Sequence, residues 1–104
     1  MIHASVMQLY PGCEAEYRTR HYALWPELQA HLKACGIHNY RIFLHAETLQ
    51  LFASFETQGP LDEVALKEAP VMQRWWAYMA ELMETQSDSP EPIAQPLTEV
   101  FYLP

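Results

Sequence analysis

The chain has 104 residues and a mass of 12.1 kDa, which suits a single compact domain spanning 1–104 and is too short for two. Half of it is apolar and 12% aromatic, so it can bury a core and is not a disordered chain. Six Lys and Arg against 13 Asp and Glu give a net charge of −7, which argues against nucleic acid and anionic membranes, because both demand clustered positive charge.

Met1 to Ser5 has no basic lead-in, and no apolar run reaches the length of a signal peptide or a membrane span. The expected compartment is therefore the cytoplasm. Ile2 to Tyr10 alternates as a strand with apolar residues on both faces, ended by Pro11-Gly12. A helical stretch then runs from Cys13 to Cys35, where Gly36 stands in C-cap position. Within it Cys13, Tyr17, His21, Leu24, Leu28, Leu32 and Cys35 step by three or four, which puts all seven on one helix face. Pro26 should kink this helix or restart it near Leu24-Trp25.

His38 to His45 reads as a second strand, with Tyr40, Ile42 and Leu44 on one face and Arg41 and Phe43 on the other. Leu49 to Phe55 reads as a third, and the short link between them predicts an antiparallel hairpin. After Gly59-Pro60 comes a short helix near 61–68 and a longer one after Pro70. Residues 85–96 form an irregular loop rich in proline and acid, and Leu97 to Leu103 reads as the last strand. The order β-α-β-β-α-β is that of the ferredoxin-like α+β fold, a four-stranded antiparallel sheet with helices on one face. The uncovered face would carry Phe43 and Phe52, which is too apolar to leave wet, so a homodimer packed sheet to sheet is expected.

The helix stripe also holds the candidate chemistry. Tyr17 and His21 are helical neighbours on a face otherwise occupied by leucines. Two readings stand side by side: core residues whose polar atoms bond to backbone carbonyls, or a pocket lined by an imidazole and a phenol. Tyr40, on the strand face turned toward the helices, and the adjacent Trp75-Trp76 add weight to the pocket. Aromatic platforms with a few polar groups suit a neutral sugar, whose C–H faces stack on rings and whose hydroxyls need fixed partners. His3, His31, His38 and His45 lack metal-ligand spacing, so no metal site is expected. Three glycines provide no phosphate loop, and no serine sits in a nucleophile-elbow context. Glu27 reads as a first-turn helix acid, and Glu16, Arg18 and Arg20 as a solvated helix face. Cys13 and Cys35 are too few for a disulfide scaffold and read as reduced thiols.

Several stretches together resemble the L-rhamnose mutarotase family from end to end. They are Val6-Met7-Gln8, Glu16 to His21, Trp25-Pro26-Glu27-Leu28, His38-Asn39-Tyr40, Gln73 to Met79 and Glu99 to Pro104. The resemblance implies a dimeric α/β barrel of ferredoxin-like subunits and a cofactor-free epimerase acting at the anomeric carbon of L-rhamnose. It further implies His21 as proton donor and Tyr17, Tyr40, Trp75 and Trp76 as sugar-binding residues. Tyr22 is bulkier than the small polar residue expected after that histidine. Two other classes share the same dimeric fold or the same pocket chemistry. One is a cofactor-independent monooxygenase or haem-degrading enzyme, the other a non-catalytic sugar-binding module.

Overall fold

The computed structural model describes residues 1–104. Its elements are β1 (Ile2–Gln8), α1 (Glu14–Tyr22), α2 (Pro26–Ala34), β2 (His38–His45), β3 (Gln50–Glu56), α3 (Glu63–Glu68), α4 (Pro70–Met79) and β4 (Gln95–Pro96), with a 3-10 turn at Ala80–Leu82. All strand pairs are antiparallel, and the sheet order is β2-β3-β1-β4. No helix is long and apolar enough to cross a membrane.

Strand alternation sorts the sheet into two unlike faces. Met7, Leu9, Ile42 and Leu51 belong to the core that also holds Leu28, Val71, Met72, Trp75 and Met79 from the helices. On the other face Val6, Phe52 and Phe43 stand in one cross-strand row, with Phe43 59% and Phe52 36% exposed. The open face is thus as apolar as the sequence led one to expect.

The long helical stretch is two helices. Trp25 takes an extended backbone, as the residue before a proline prefers, and Pro26 opens α2 where its missing N–H is not needed. The break does not disturb the apolar stripe, since Leu24 still packs beside Leu28 and Leu32. At the other end of α2 the N–H of Ile37 bonds the carbonyl of Leu32 at 3.1 Å, and that of Gly36 bonds Lys33 at 2.9 Å. This is a Schellman cap, and it needs the positive φ of +82° that Gly36 adopts.

A β-bulge interrupts β2. His38 pairs with Glu56 and Arg41 with Ser54, so Asn39 and Tyr40 together oppose Phe55. Asn39 takes the left-handed conformation (φ 49°), which asparagine tolerates, and its side chain bonds Glu56 at 2.7 Å. Tyr40 then stacks on Phe55 with ring centroids 5.2 Å apart.

The C-terminal end differs from the expected strand at 97–103. The strand is Gln95–Pro96, pairing with Ser5 and Val6, and it extends only to a bond from Leu97 N–H to Ala4. Pro96 has no N–H to add to the ladder, and β1 has only Ile2 and His3 left beyond Ala4. The chain therefore leaves the sheet, with Val100, Phe101, Tyr102 and Leu103 all more than two-thirds exposed. Residues 85–96 are more ordered than a plain loop: Thr85 bridges Pro92, and Gln86 N–H bonds Glu91 at 2.9 Å.

An added Cβ at Gly36 meets nothing within 4 Å, so a Gly36→Ala change isolates the backbone term. It should destabilise the fold by about 1 kcal/mol through the left-handed conformation alone. Urea denaturation of the two proteins checks this; unchanged stability would contradict the cap.

Candidate active site

Between the inner sheet face and the helices lies a cavity of about 1040 Å³, lined mostly by hydrophobic side chains. Small-molecule pockets are typically roughly 300–1,000 Å³. Tyr17 and His21 of α1, Tyr40 of β2, and Trp75 and Trp76 of α4 all line it. The five residues singled out from the sequence are therefore brought to one space. Trp75 is buried and Trp76 half-buried, as two adjacent helical positions bordering one cavity require. Of charged side chains only Glu14 and Arg18 line the cavity, and both residues are exposed.

The rings form a connected seam. The Tyr17 and His21 centroids lie 4.3 Å apart, and His21 meets Trp75 edge to face at 5.3 Å. Trp75 in turn meets Trp25 edge to face at 5.1 Å, and Tyr78 stacks on Trp25 at 5.5 Å. Trp25 and Tyr78 were not among the expected site residues. Trp25 precedes a proline and Tyr78 falls on the exposed flank of α4, so neither stands on an apolar stripe that periodicity would pick out.

His21 Nδ1 lies 3.0 Å from the carbonyl of Tyr17. A carbonyl only accepts, so Nδ1 carries the hydrogen, and in the neutral ring Nε2 is left with its lone pair. Of the two readings of the stripe, backbone satisfaction holds for this one nitrogen. Burial lowers the pKa of His21, and the bond to the Tyr17 carbonyl offsets part of that shift. The same dry surroundings act on the phenols in the opposite direction. Burial raises the pKa of Tyr17 well above the usual tyrosine range, with the nearby Tyr40 adding to it. Burial raises Tyr40 as well; the residue keeps 44% of its surface exposed, so the desolvated part is its hydroxyl end. At neutral pH the site thus holds a mostly neutral imidazole and two neutral phenols.

The expected solvated helix face is corrected at Arg20. Its side chain is only 9% exposed, because it reaches across to α4 and the turn that follows. Tyr22 is 84% exposed although it borders the cavity. Glu27 sits in the first turn of α2 and pairs with Arg74 at 3.0 Å. No group of three or more His, Cys, Asp and Glu is placed to hold a metal ion, and both cysteines are free.

Fold and site together define a small α+β protein whose one sheet and helices enclose an aromatic pocket around a single ionisable imidazole. The family described as L-rhamnose mutarotase matches residues 3–103. A protein named L-rhamnose mutarotase from Jannaschia sp. is 50% identical over 102 residues, covering 98% of this chain and 97% of its own. One of the same name from Listeria monocytogenes is 46% identical over 100 residues, covering 96% and 95%. The crystal structure of an L-rhamnose mutarotase from Formosa agariphila superposes with a TM-score of 0.91 at 36% identity, covering 100% of this chain and 99% of that one. A Mycobacterium tuberculosis structure at 14% identity and TM-score 0.57 shares the fold alone. This chain belongs to the L-rhamnose mutarotase family.

Because burial lowers the His21 pKa, the unfolded chain binds more protons than the folded one just below pH 6.5. His21 should therefore contribute a stability that rises with pH through that window and is level above it. An NMR titration of the imidazole, with nitrogen shifts reporting the Nδ1–H tautomer, checks both points. A His21 pKa at or above about 6.5 would contradict the desolvated site.

Proposed function

We propose that this protein interconverts the α and β anomers of L-rhamnopyranose without a cofactor, with His21 as the proton donor and Tyr17, Tyr40, Trp75 and Trp76 holding the sugar. The observation that carries the reading is the convergence of these five side chains on one cavity in a member of this family. Mutarotation needs a proton placed on the ring oxygen and one removed from the anomeric hydroxyl. The C1–O5 bond then breaks, O1 becomes the aldehyde oxygen, C1 rotates, and closure on the other face reverses the transfers.

A resting neutral imidazole must take up a proton before it can give one. Nε2 of His21, with Nδ1–H held by the Tyr17 carbonyl, is suited to accept from O1–H and deliver to O5, both of which are bonded to C1. Neutral phenols cannot serve as anionic bases at pH 7, so Tyr17 and Tyr40 fit the role of hydrogen-bond donors and acceptors to sugar hydroxyls. The indole of Trp75 or Trp76 offers its face to the apolar side of a 6-deoxy sugar.

The subunit fold is ferredoxin-like, supported by the element order and by the strand order β2-β3-β1-β4. Two copies form a homodimeric α/β barrel through the open sheet faces, supported by the exposed row of Phe43 and Phe52. The protein acts in the cytoplasm, in L-rhamnose metabolism.

Saturation-transfer NMR between the anomeric signals of L-rhamnose tests the activity. The wild type should accelerate exchange, and His21→Ala should lose about 10²–10⁴-fold of it while still binding the sugar. Tyr17→Phe and Tyr40→Phe should act mainly on KM. Full activity in a folded His21→Ala would remove His21 as donor. No acceleration by the folded wild type would sink the reading and direct attention to quinol or haem turnover.

A further inference from the structure

The helix that carries Tyr17 and His21 is held in place by long side chains. α1 makes only sparse backbone-level contact with the other elements, and the cavity lies beneath it. Besides the buried Tyr17, α1 is tied to the rest of the molecule by Arg20, the residue before His21. Nε of Arg20 donates to Glu16 at 2.9 Å and Nη1 donates to the carbonyl of Tyr78 at 2.6 Å, while Nη2 donates to Glu81. Its guanidinium also lies over the Tyr78 ring, 4.1 Å from the centroid. Tyr78 stands in the last turn of α4, where carbonyls lack helical partners and where α4 has no basic residue of its own. Arg20 therefore supplies from α1 the cation that the end of α4 lacks. The same Tyr78 ring stacks on Trp25 and packs on Trp75, and Trp75 contacts His21. A closed circuit results, from Arg20 through Tyr78 and Trp75 back to His21.

We propose that Arg20 is a positioning residue for His21: by clamping α1 to the end of α4 it fixes the imidazole against Trp75. The proposal rests on the reading of His21 as the proton-transfer group. The planar fork matters as well as the charge, because three bonds and a ring stack are made at once, which an ammonium cannot reproduce. The groups facing His21 are Tyr17 on its own helix, Trp75 on α4 and, across the cavity, Tyr40 on β2. Glu14 and Arg18 line the same cavity.

The test compares Arg20→Met and Arg20→Lys with Arg74→Met, which breaks an exposed ion pair between α4 and α2. Anomer exchange on L-rhamnose is measured well below each melting temperature, with kcat and KM separated. Arg20→Met should lower kcat about 10- to 100-fold, the scale of a displaced catalytic group, while KM changes little. Arg20→Lys should recover part of the loss, and Arg74→Met should stay near wild type. In parallel, an NMR titration should find His21 moved toward the ordinary histidine value in Arg20→Met, as a loosened α1 admits water. If Arg20→Met does not fold, Tyr78→Leu removes the ring between the guanidinium and Trp75 and is judged by the same readouts. Unchanged kcat in folded Arg20→Met, or an equal loss in Arg74→Met, overturns the proposal. An inactive wild type refutes the mutarotase reading instead, and the His21 titration still decides the positioning role.

Discussion

A helix that lies over a cavity, anchored by side chains more than by backbone packing, is the constraint from which the rest of this structure follows. α1 cannot settle onto the sheet without closing the cavity, and it cannot be left loose without losing the alignment of Tyr17 and His21. Side chains resolve the conflict. On its inner edge α1 touches Trp75 through His21, and on its outer flank it is clamped through Arg20. The break at Trp25-Pro26 serves the same end, since it lets α2 seal the core around Leu28 while α1 stands off.

The void also sets the electrostatics. Removing water penalises whichever form of a side chain is charged, so one environment pushes an imidazole and two phenols toward neutrality from opposite ends of the pH scale. A neutral site is a sensible receptacle for an uncharged ligand, because no buried ion competes for the solvation that the ligand gives up. The Tyr17 carbonyl adds direction by fixing which nitrogen of His21 bears the hydrogen.

Most of this was legible in the residues, for reasons that can be stated. Tyr40, Ile42 and Leu44 alternate with Arg41 and Phe43, and a period of two assigns faces without further information. Tyr17, His21, Leu24 and Leu28 share a stripe, and that stripe survives a helix break because the chain resumes in phase. Arg20 was not legible. With Glu16 four residues before it, it has the pattern of a solvated ion pair, and its partners Tyr78 and Glu81 lie some sixty residues away in sequence. The last strand was misplaced for a related reason. Val100, Phe101 and Leu103 look like strand residues, but a strand needs a neighbour, and past Ala4 only Ile2 and His3 of β1 remain. The bulge at Asn39 was equally hidden, since nothing local distinguishes it from a regular step.

The cavity has a consequence for how long the molecule lasts. Only 13 of 104 residues are buried, and beside the packed core part of the space between sheet and helices is a cavity. A ligand that enters only the folded form stabilises it by mass action, by about 2.7 kcal/mol at a hundredfold excess over its dissociation constant. Proteases that act on transiently opened chains sample the open form in proportion to its population. A ligand that fills the cavity therefore also slows proteolysis, since it lowers the population of the open form.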